Sequence, residues 1–436
     1  MNQLYMKQHF RNPKRKHTAN KAKSQLYDYY AGYSELFVED VLEYLNLKED
    51  AFVLDPWNGS GTTTHVSERK GFNSIGFDIN PVMPIISNSR RINDKNSMKE
   101  LNEIFKKSLI RTKSTVIIPR DPLAIWLSNE SIIFFRRIEF VIQRKTLFRK
   151  RFMFAKEKAV FNELLVNPEA SFYYVALFRT LKEILAPFKS SNPTWIKQPT
   201  NEEEKVNISK ELIYNCFFKH INLMIEGITS EERNNQDSTV LFGVATSRNL
   251  PLLGLEIDAI ITSPPYCTRI DYVIATRLEL AILGIGNDLE FNELRTEMIG
   301  TTKIIGREIE ANQLWGITAN EFIVNVQSHH TKASNSYYVK QYLQYFDSVF
   351  SSLIELNRVL KTGGHLVLVV QDSYYKDIHL DLAQIYIEMA FNLGWQLEHK
   401  EYYFQPQTLA GINKSKAIYR KNSSATEHAL VFIKED

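Results

Sequence analysis

Two cysteines in 436 residues, Cys216 and Cys267, are too few for a disulfide framework and give no zinc-ligand cluster of regular spacing. That scarcity fits a reducing compartment. No apolar run is long enough to span a bilayer, and the first residues lack the apolar segment of a secretory signal. A cytoplasmic protein with no membrane role is therefore expected. A marked excess of either charge is missing too, since Lys+Arg 53 against Asp+Glu 50 leaves a formal +3. A global polyanion binder is thereby excluded, and any nucleic-acid surface must be built from local patches. What is present is apolar material for a large core, 44% of residues with a 12% aromatic share.

The most informative stretch is Asp258-Ala259-Ile260-Ile261-Thr262-Ser263-Pro264-Pro265-Tyr266. Residues 257–261 are short, apolar and largely β-branched, the pattern of a parallel strand covered on both faces. Two prolines cannot continue a ladder, so the strand stops at Ser263. In a doubly wound α/β protein this end delivers Ser263 and Tyr266 to the edge where ligands bind. The chemistry that suits such a loop is transfer to the exocyclic amine of a base, a poor nucleophile because its lone pair is delocalised into the ring. Hydrogen bonds from that amine to the Ser263 hydroxyl and the Pro264 carbonyl localise the lone pair, and Pro264 and Pro265 hold the carbonyl in place. Tyr266 offers a face on which an extruded base stacks. The competing reading is an ordinary Pro-Pro turn after a strand.

A second stretch supports the first. Phe52-Val53-Leu54-Asp55-Pro56-Trp57-Asn58-Gly59-Ser60-Gly61-Thr62 reads as a buried strand, a glycine turn and a helix beginning near Thr62. Gly59 and Gly61 let the backbone approach a ligand at the positive end of a helix. About one βα unit later the strand 74–77 ends in Asp78, placed to accept hydrogen bonds from ribose hydroxyls. The turn lacks the Gly-Lys-Ser/Thr ending of a phosphate-binding loop, so the pair indicates a nucleoside cofactor.

Around these stretches the chain falls into segments. Residues 1–24 form a basic mobile arm, either a solvated terminus or a phosphate contact. Residues 25–84 carry the cofactor part of the core. Tyr29 to Ser34 leads into a helix with Ser34 as N-cap, and is either a packed helix entry or a turn closing over the cofactor. In 85–238 the core pattern is replaced by helix-like segments at 97–107, 129–143 and 171–185, with Arg136, Arg137, Arg144, Lys145, Arg149, Lys150, Arg151 and Trp195. This insertion is a candidate DNA-recognition region, the alternative being solvated helix faces. The core resumes over 239–284. A second insertion, 285–338, contains Arg295, Arg307, Trp315, His329, His330 and Lys332 and is a candidate for further DNA contacts. Residues 339–436 complete the core, with a helix at 339–360 capped by Gly363 and strands at 365–370 and 429–433. Adjacent His329 and His330 do not make a metal site, and no metal ligands are assigned. Cys267 has no partner histidine at fixed spacing and is not read as a nucleophile.

These motifs resemble those of the S-adenosylmethionine-dependent DNA amino-methyltransferases, which modify cytosine N4 or adenine N6. Asp55-Pro56-Trp57-Asn58-Gly59-Ser60-Gly61-Thr62 is similar to their cofactor glycine motif, and Phe77-Asp78-Ile79-Asn80-Pro81 to their second strand. Thr262-Ser263-Pro264-Pro265-Tyr266 is similar to their catalytic loop. Tyr30 to Ser34 resembles the segment that closes over the methionine end of the cofactor, and 361–373 and 427–433 the later core strands. The resemblance covers about half of the chain and leaves both insertions outside it.

It implies a Rossmann-like core, an α/β doubly wound, mostly parallel sheet with large helical or irregular insertions. It further implies S-adenosylmethionine held by Tyr30, Gly32, Ser34, Asp55, Pro56, Asn58, Gly59, Ser60, Gly61, Thr62, Asp78 and Ile79, and catalysis by Ser263, Pro264, Pro265 and Tyr266. The third strand ends in Ala245-Thr246-Ser247 where the family usually has an acid near the cofactor adenine, so Thr246 and Ser247 are the expected polar contacts. Serine at position 263 leans toward cytosine N4, with adenine N6 the alternative. Double-stranded DNA is the expected partner, with a cognate restriction endonuclease or other defence component a candidate second. An RNA amino-methyltransferase and a catalytically silent nucleic-acid-binding protein are the competing readings.

Overall fold

Phe52–Asp55 is the strand about which the sheet reverses direction, and it sits early in the chain. The computed structural model describes residues 9–14, 27, 32–146, 167–190, 195–228, 238–254, 256–267, 271–286, 288–304, 306–331, 333–405 and 425–435. In order these give α1 (Glu35–Leu45), β1 (Phe52–Asp55), α2 (Thr62–Lys70), β2 (Asn73–Asp78) and α3 (Val82–Ser89). Four longer helices follow, α4 (Lys95–Arg111), α5 (Asn129–Thr146), α6 (Pro168–Ile184) and α7 (Lys210–Glu226). Then come β3 (Val240–Val244), β4 (Ile257–Thr262), α8 (Arg277–Ile282), α9 (Asp288–Glu297), α10 (Ile317–Ser328) and α11 (Val339–Val359). The chain closes with β5 (Leu360–Gln371), the hairpin β6 (Ser373–Tyr375) and β7 (Ile378–Leu380), α12 (Leu382–Phe391), β8 (Trp395–Gln405) and β9 (Ala425–Lys434).

Seven strands form one sheet in the order β3-β2-β1-β4-β5-β9-β8. β1 pairs parallel with β2 and β4, β2 with β3, and β4 with β5, while β9 runs antiparallel between β5 and β8. The expected mostly parallel, doubly wound sheet is therefore present. Its strands alternate between two apolar layers. Leu366, Leu368 and Val370 of β5 join Leu54 and Ile260 on the face covered by α10, α11 and α12. Val367 and Val369 join Val53, Ala259 and Ile261 on the opposite face, against α1 and Val66 of α2. Burial on both faces is why these strands read as continuous apolar runs.

The insertion after β2 is not the solvated segment its charges suggest. Helices α4 to α7 build a second apolar core, with Phe105, Tyr173, Phe178 and Phe217 inside, packed against Val82 to Ile86 of α3 and Leu278 to Ile282 of α8. Arg136, expected at a phosphate-facing surface, is only 2% exposed. Its guanidinium reaches Asp121 Oδ1 at 2.7 Å, Glu139 Oε2 at 2.6 Å and the carbonyls of Ala281 and Ile282. It clamps α5 to α8. Arg144 and Lys145 are exposed, while Arg149, Lys150 and Arg151 lie outside the described residues. In the second insertion Trp315 is buried against Phe346, and Arg295 is paired with Asp271 at 2.8 Å. His329 bonds Asp377 at 2.9 Å.

Two further expectations change. Gly363 does not cap α11, which ends at Val359. Leu360 enters β5 at once by pairing with Ile257, and the ladder resumes at Ala259–His365 after a register shift, leaving Gly363, φ 73°, in the irregular segment between. Residues 9–14 of the basic arm lie on the core. Phe10 is buried against Phe37 and Tyr44, its N–H donates to Glu401, and Arg11 is paired with Asp40.

Candidate active site

Two loops meet where the strand order reverses. One follows β1 and the other follows the adjacent β4, so both leave the carboxyl edge of the sheet at its switch point, where ligands of open α/β sheets bind. They are tied together directly. Thr262 Oγ1 donates to Asp55 Oδ1 at 2.6 Å, and Tyr33 Oη lies within hydrogen-bond reach of Asp55 Oδ2, Thr63 Oγ1 and Ile261 O. Asp55 also accepts from the Trp57 N–H at 3.1 Å. Burial raises its carboxyl to about 6, with the hydrogen bonds from Thr262, Trp57 and Tyr33 pulling the other way.

The turn after β1 is shaped by its glycines and by α3. Gly59 has φ 48° and Gly61 φ 78°, the left-handed region that disfavours a Cβ. A Cβ at Gly61 would stand 2.7 Å from Ser87 Cβ. Asn58 is occupied in holding this packing, since its Nδ2 donates to Ser87 Oγ at 3.1 Å and its Oδ1 accepts from Thr64 Oγ1 at 3.1 Å. Gly61→Ala is expected to lower stability by about 2–4 kcal/mol, the sum of left-handed strain and overpacking, measurable by denaturant unfolding.

Asp78 closes the far side of the turn. Its Oδ2 accepts from the Gly59 N–H at 3.0 Å and its Oδ1 from the Asn80 N–H at 2.9 Å, so each oxygen keeps a lone pair for a further donor. Burial raises this carboxyl to about 7, against the pull of those two N–H groups. Ser60 Oγ is buried without a hydrogen-bond partner among the described residues, an orphaned polar atom at the turn. A Cβ at Gly32 would stand 3.7 Å from that hydroxyl, so the segment before α1 does pass over the glycine turn. Ser34 is the N-cap of α1 by backbone position, but its side chain makes no capping bond. Pro56 and Thr62 are buried in the turn and Ile79 packs partly against the helical core. Tyr30 lies outside the described residues. Thr246 and Ser247 follow β3, whose neighbour Ala245 donates its N–H to Asp78 O at 3.2 Å. Thr246 Oγ1 is engaged by Arg248, and Ser247 Oγ meets Ser352 of α11 at 2.9 Å. A nucleoside with a free ribose diol fits the Asp78 acceptor and the unfilled Ser60 hydroxyl.

The loop after β4 is equally constrained. Ser263 Oγ donates to Val369 O of β5 at 3.0 Å, and Tyr345 Oη of α11 donates to Pro265 O at 3.0 Å. Tyr266 Oη donates to Glu427 Oε1 of β9 at 2.9 Å. Burial, with Glu427 beside it, keeps the Tyr266 phenol well above its ordinary value and therefore protonated. Cys267 is buried, and burial alone drives its thiol far above the ordinary range, which agrees with its exclusion as a nucleophile.

Sequence reading missed four of these groups. Tyr33 stood inside a quoted motif and Thr63 directly after one, but nothing local showed that both reach Asp55. Tyr345 and Glu427 come from elements 80 and 161 positions away in sequence, and no periodicity reveals such pairing.

The strand order and the two loops at its switch point are those of a Rossmann-like α/β core, consistent with a methyltransferase fold. Residues 2–87 match the model of a DNA methylase family. The chain is 26% identical over 288 residues to the type II methyltransferase M.BsoBI of Geobacillus stearothermophilus, a match covering 63% of this chain and 55% of that relative. It is 24% identical over 412 residues to the type II methyltransferase M.AvaI of Nostoc sp. and to that of Anabaena variabilis, covering 87% of this chain and 81% of each relative. The matched part thus spans about half the length of the Geobacillus relative. The matches are thus to DNA methylases and type II methyltransferases, enzymes that take their methyl group from S-adenosylmethionine. No helix among the described residues is long and apolar enough to cross a membrane.

Proposed function

We propose that the chain is a DNA methyltransferase that methylates the exocyclic amine of a base flipped out of the duplex, cytosine N4 in preference to adenine N6. The observation that carries this reading is the Ser263 hydroxyl. Its hydrogen has Val369 O at 3.0 Å as the nearer acceptor and Tyr266 Oη at 3.5 Å as the farther one, and either leaves an oxygen lone pair as an acceptor beside the Pro264–Pro265 backbone. An amine donating to Ser263 Oγ and to the Pro264 carbonyl has its nitrogen lone pair localised toward the cofactor side, where β1 ends. Bound S-adenosylmethionine would supply the electrophilic methyl group and leave as a thioether, and the proton displaced from the methylated nitrogen would pass to solvent. Asp78 receives the ribose hydroxyls, Gly59 and Gly61 admit the nucleoside to the backbone, and Asp55 with Tyr33 locks the two loops in register. The serine, in place of an acid, supports cytosine, following the resemblance above. Contacts to duplex DNA are assigned to the exposed Arg144, Lys145 and Trp195 of the first insertion. The type II designation of the relatives supports a cognate restriction endonuclease as a partner.

Tyr266 supplies a stacking face, and its hydroxyl serves to orient it through Glu427. Tyr266→Phe is expected to retain the rate within a few-fold. Tyr266→Ala is expected to lose about 10- to 100-fold, the equivalent of one base–aromatic stack. Transfer of labelled methyl groups to duplex DNA and to tRNA tests the whole reading. Incorporation into DNA supports it, whereas incorporation into tRNA alone, with cofactor binding intact, assigns the site to RNA.

A further inference from the structure

Away from the sheet edge, three potential metal ligands converge between α6 and α7. Glu183 lies near the end of α6, and Cys216 and His220, one helical turn apart, lie on α7. One carboxylate oxygen, the thiol sulfur and one imidazole nitrogen lie within 4.8 Å of one another. His220 is 6% exposed, and neither of its ring nitrogens has an aligned hydrogen-bond partner among the described residues, although Nε2 stands 2.9 Å from Glu183 Oε2. A buried imidazole left this way is uncommon unless something else satisfies it.

We infer that Glu183, Cys216 and His220 form a binding site for a divalent transition-metal ion of the zinc class, clasping α6 to α7. The mixed sulfur, nitrogen and oxygen set is the one borderline-soft ions take, and three protein ligands leave a fourth tetrahedral position for water. Ligands of a tetrahedral zinc stand about 3.3–3.8 Å apart, so from separations between 2.9 Å and 4.8 Å the side chains need only small shifts about the ion. Coordination exchanges the thiol proton for the metal and releases that proton to solvent. Lys219, whose Nζ is 2.7 Å from Glu183 Oε1 and 2.9 Å from Oε2, competes for the carboxylate in the free protein and becomes an outer partner of the bound one. Two helices of the insertion, neither of which carries a methyl-transfer loop, are thereby stapled.

The test is a cobalt(II) titration of the full-length, metal-stripped protein. A thiolate-to-cobalt charge-transfer band saturating at a single equivalent, displaced by zinc, is expected. The band should vanish in Cys216→Ser and persist in Cys267→Ser. Glu183→Gln, at an exposed position that tolerates change, should weaken binding by at least the roughly 10- to 100-fold that losing even an outer partner brings. Zinc is expected to raise the melting temperature of the wild type and not that of Cys216→Ser. A missing band, a band that survives Cys216→Ser, or unchanged affinity in Glu183→Gln overturns the site.

Discussion

Ser263→Ala is expected to reduce the single-turnover rate of methyl transfer by about 10²- to 10³-fold, the loss typical of removing one preorganised hydrogen-bonding group from a reacting centre. Cofactor affinity is expected to stay within about twofold, because Ser263 belongs to the loop after β4 and the nucleoside contacts belong to the turn after β1 and the end of β2. The separation of rate from affinity distinguishes a group that acts on the amine from one that merely supports the fold. Ser263 also anchors the loop through Val369 O, so Ser263→Thr, which keeps both the donor and the acceptor, is expected to recover part of the rate. Loss of cofactor binding in Ser263→Ala, or a rate within about twofold of the wild type, contradicts the assignment.

Asp78→Ala is expected to weaken cofactor binding by about 10²-fold or more, since it removes a charged acceptor from two hydroxyl donors and frees the Gly59 and Asn80 N–H groups that shape the turn. The same residue gives the binding a pH dependence with a definite sign. Ribose hydroxyls donate to the ionised carboxylate, and burial has raised its value to about 7. Affinity therefore falls as pH drops below about 7, by up to tenfold per unit, and levels off above it. In the cofactor-free protein the linkage runs the other way. A folded-state value above the unfolded one means that stability from this group is fully present below the unfolded value and is lost as pH rises through about 7. Calorimetric titration of cofactor into wild type and Asp78→Asn from pH 6 to pH 8 checks the first point, and denaturant unfolding of the cofactor-free proteins from about pH 4 to pH 8 checks the second, with a flattened profile expected for the variant in both.

Legibility in the sequence followed the range of the interactions concerned. The ends of β1, β2 and β4 were readable because each is a short, mostly apolar run closing on a polar residue, Asp55, Asp78 and Thr262, shortly before a proline or glycine turn. Parallel strands buried on both faces leave that signal locally. Arg136 was misread because charge on a helix ordinarily marks solvent, and its neutralising partners are Asp121 on a preceding turn and Glu139 one helical turn on. The insertion was read by its charges, yet Ile213, Phe217, Ile221 and Met224 of α7 recur at helical spacing and are buried, so a signal for its core was present. Glu427 was beyond reach for another reason. Its approach to Tyr266 depends on β9 entering the sheet antiparallel between β5 and β8, a choice of topology that no local pattern encodes. Gly363 shows the reverse error, a sound local cap rule overridden when Leu360 found a strand partner in Ile257.

The most direct measurement is mass spectrometry of nucleosides from the genomic DNA of cells expressing the chain, beside cells expressing Ser263→Ala. N4-methylcytosine in the first and not in the second is the predicted result. N6-methyladenine with the same dependence on Ser263 keeps the mechanism and overturns the choice of base. Neither modified base, from a protein that still binds S-adenosylmethionine, contradicts the account.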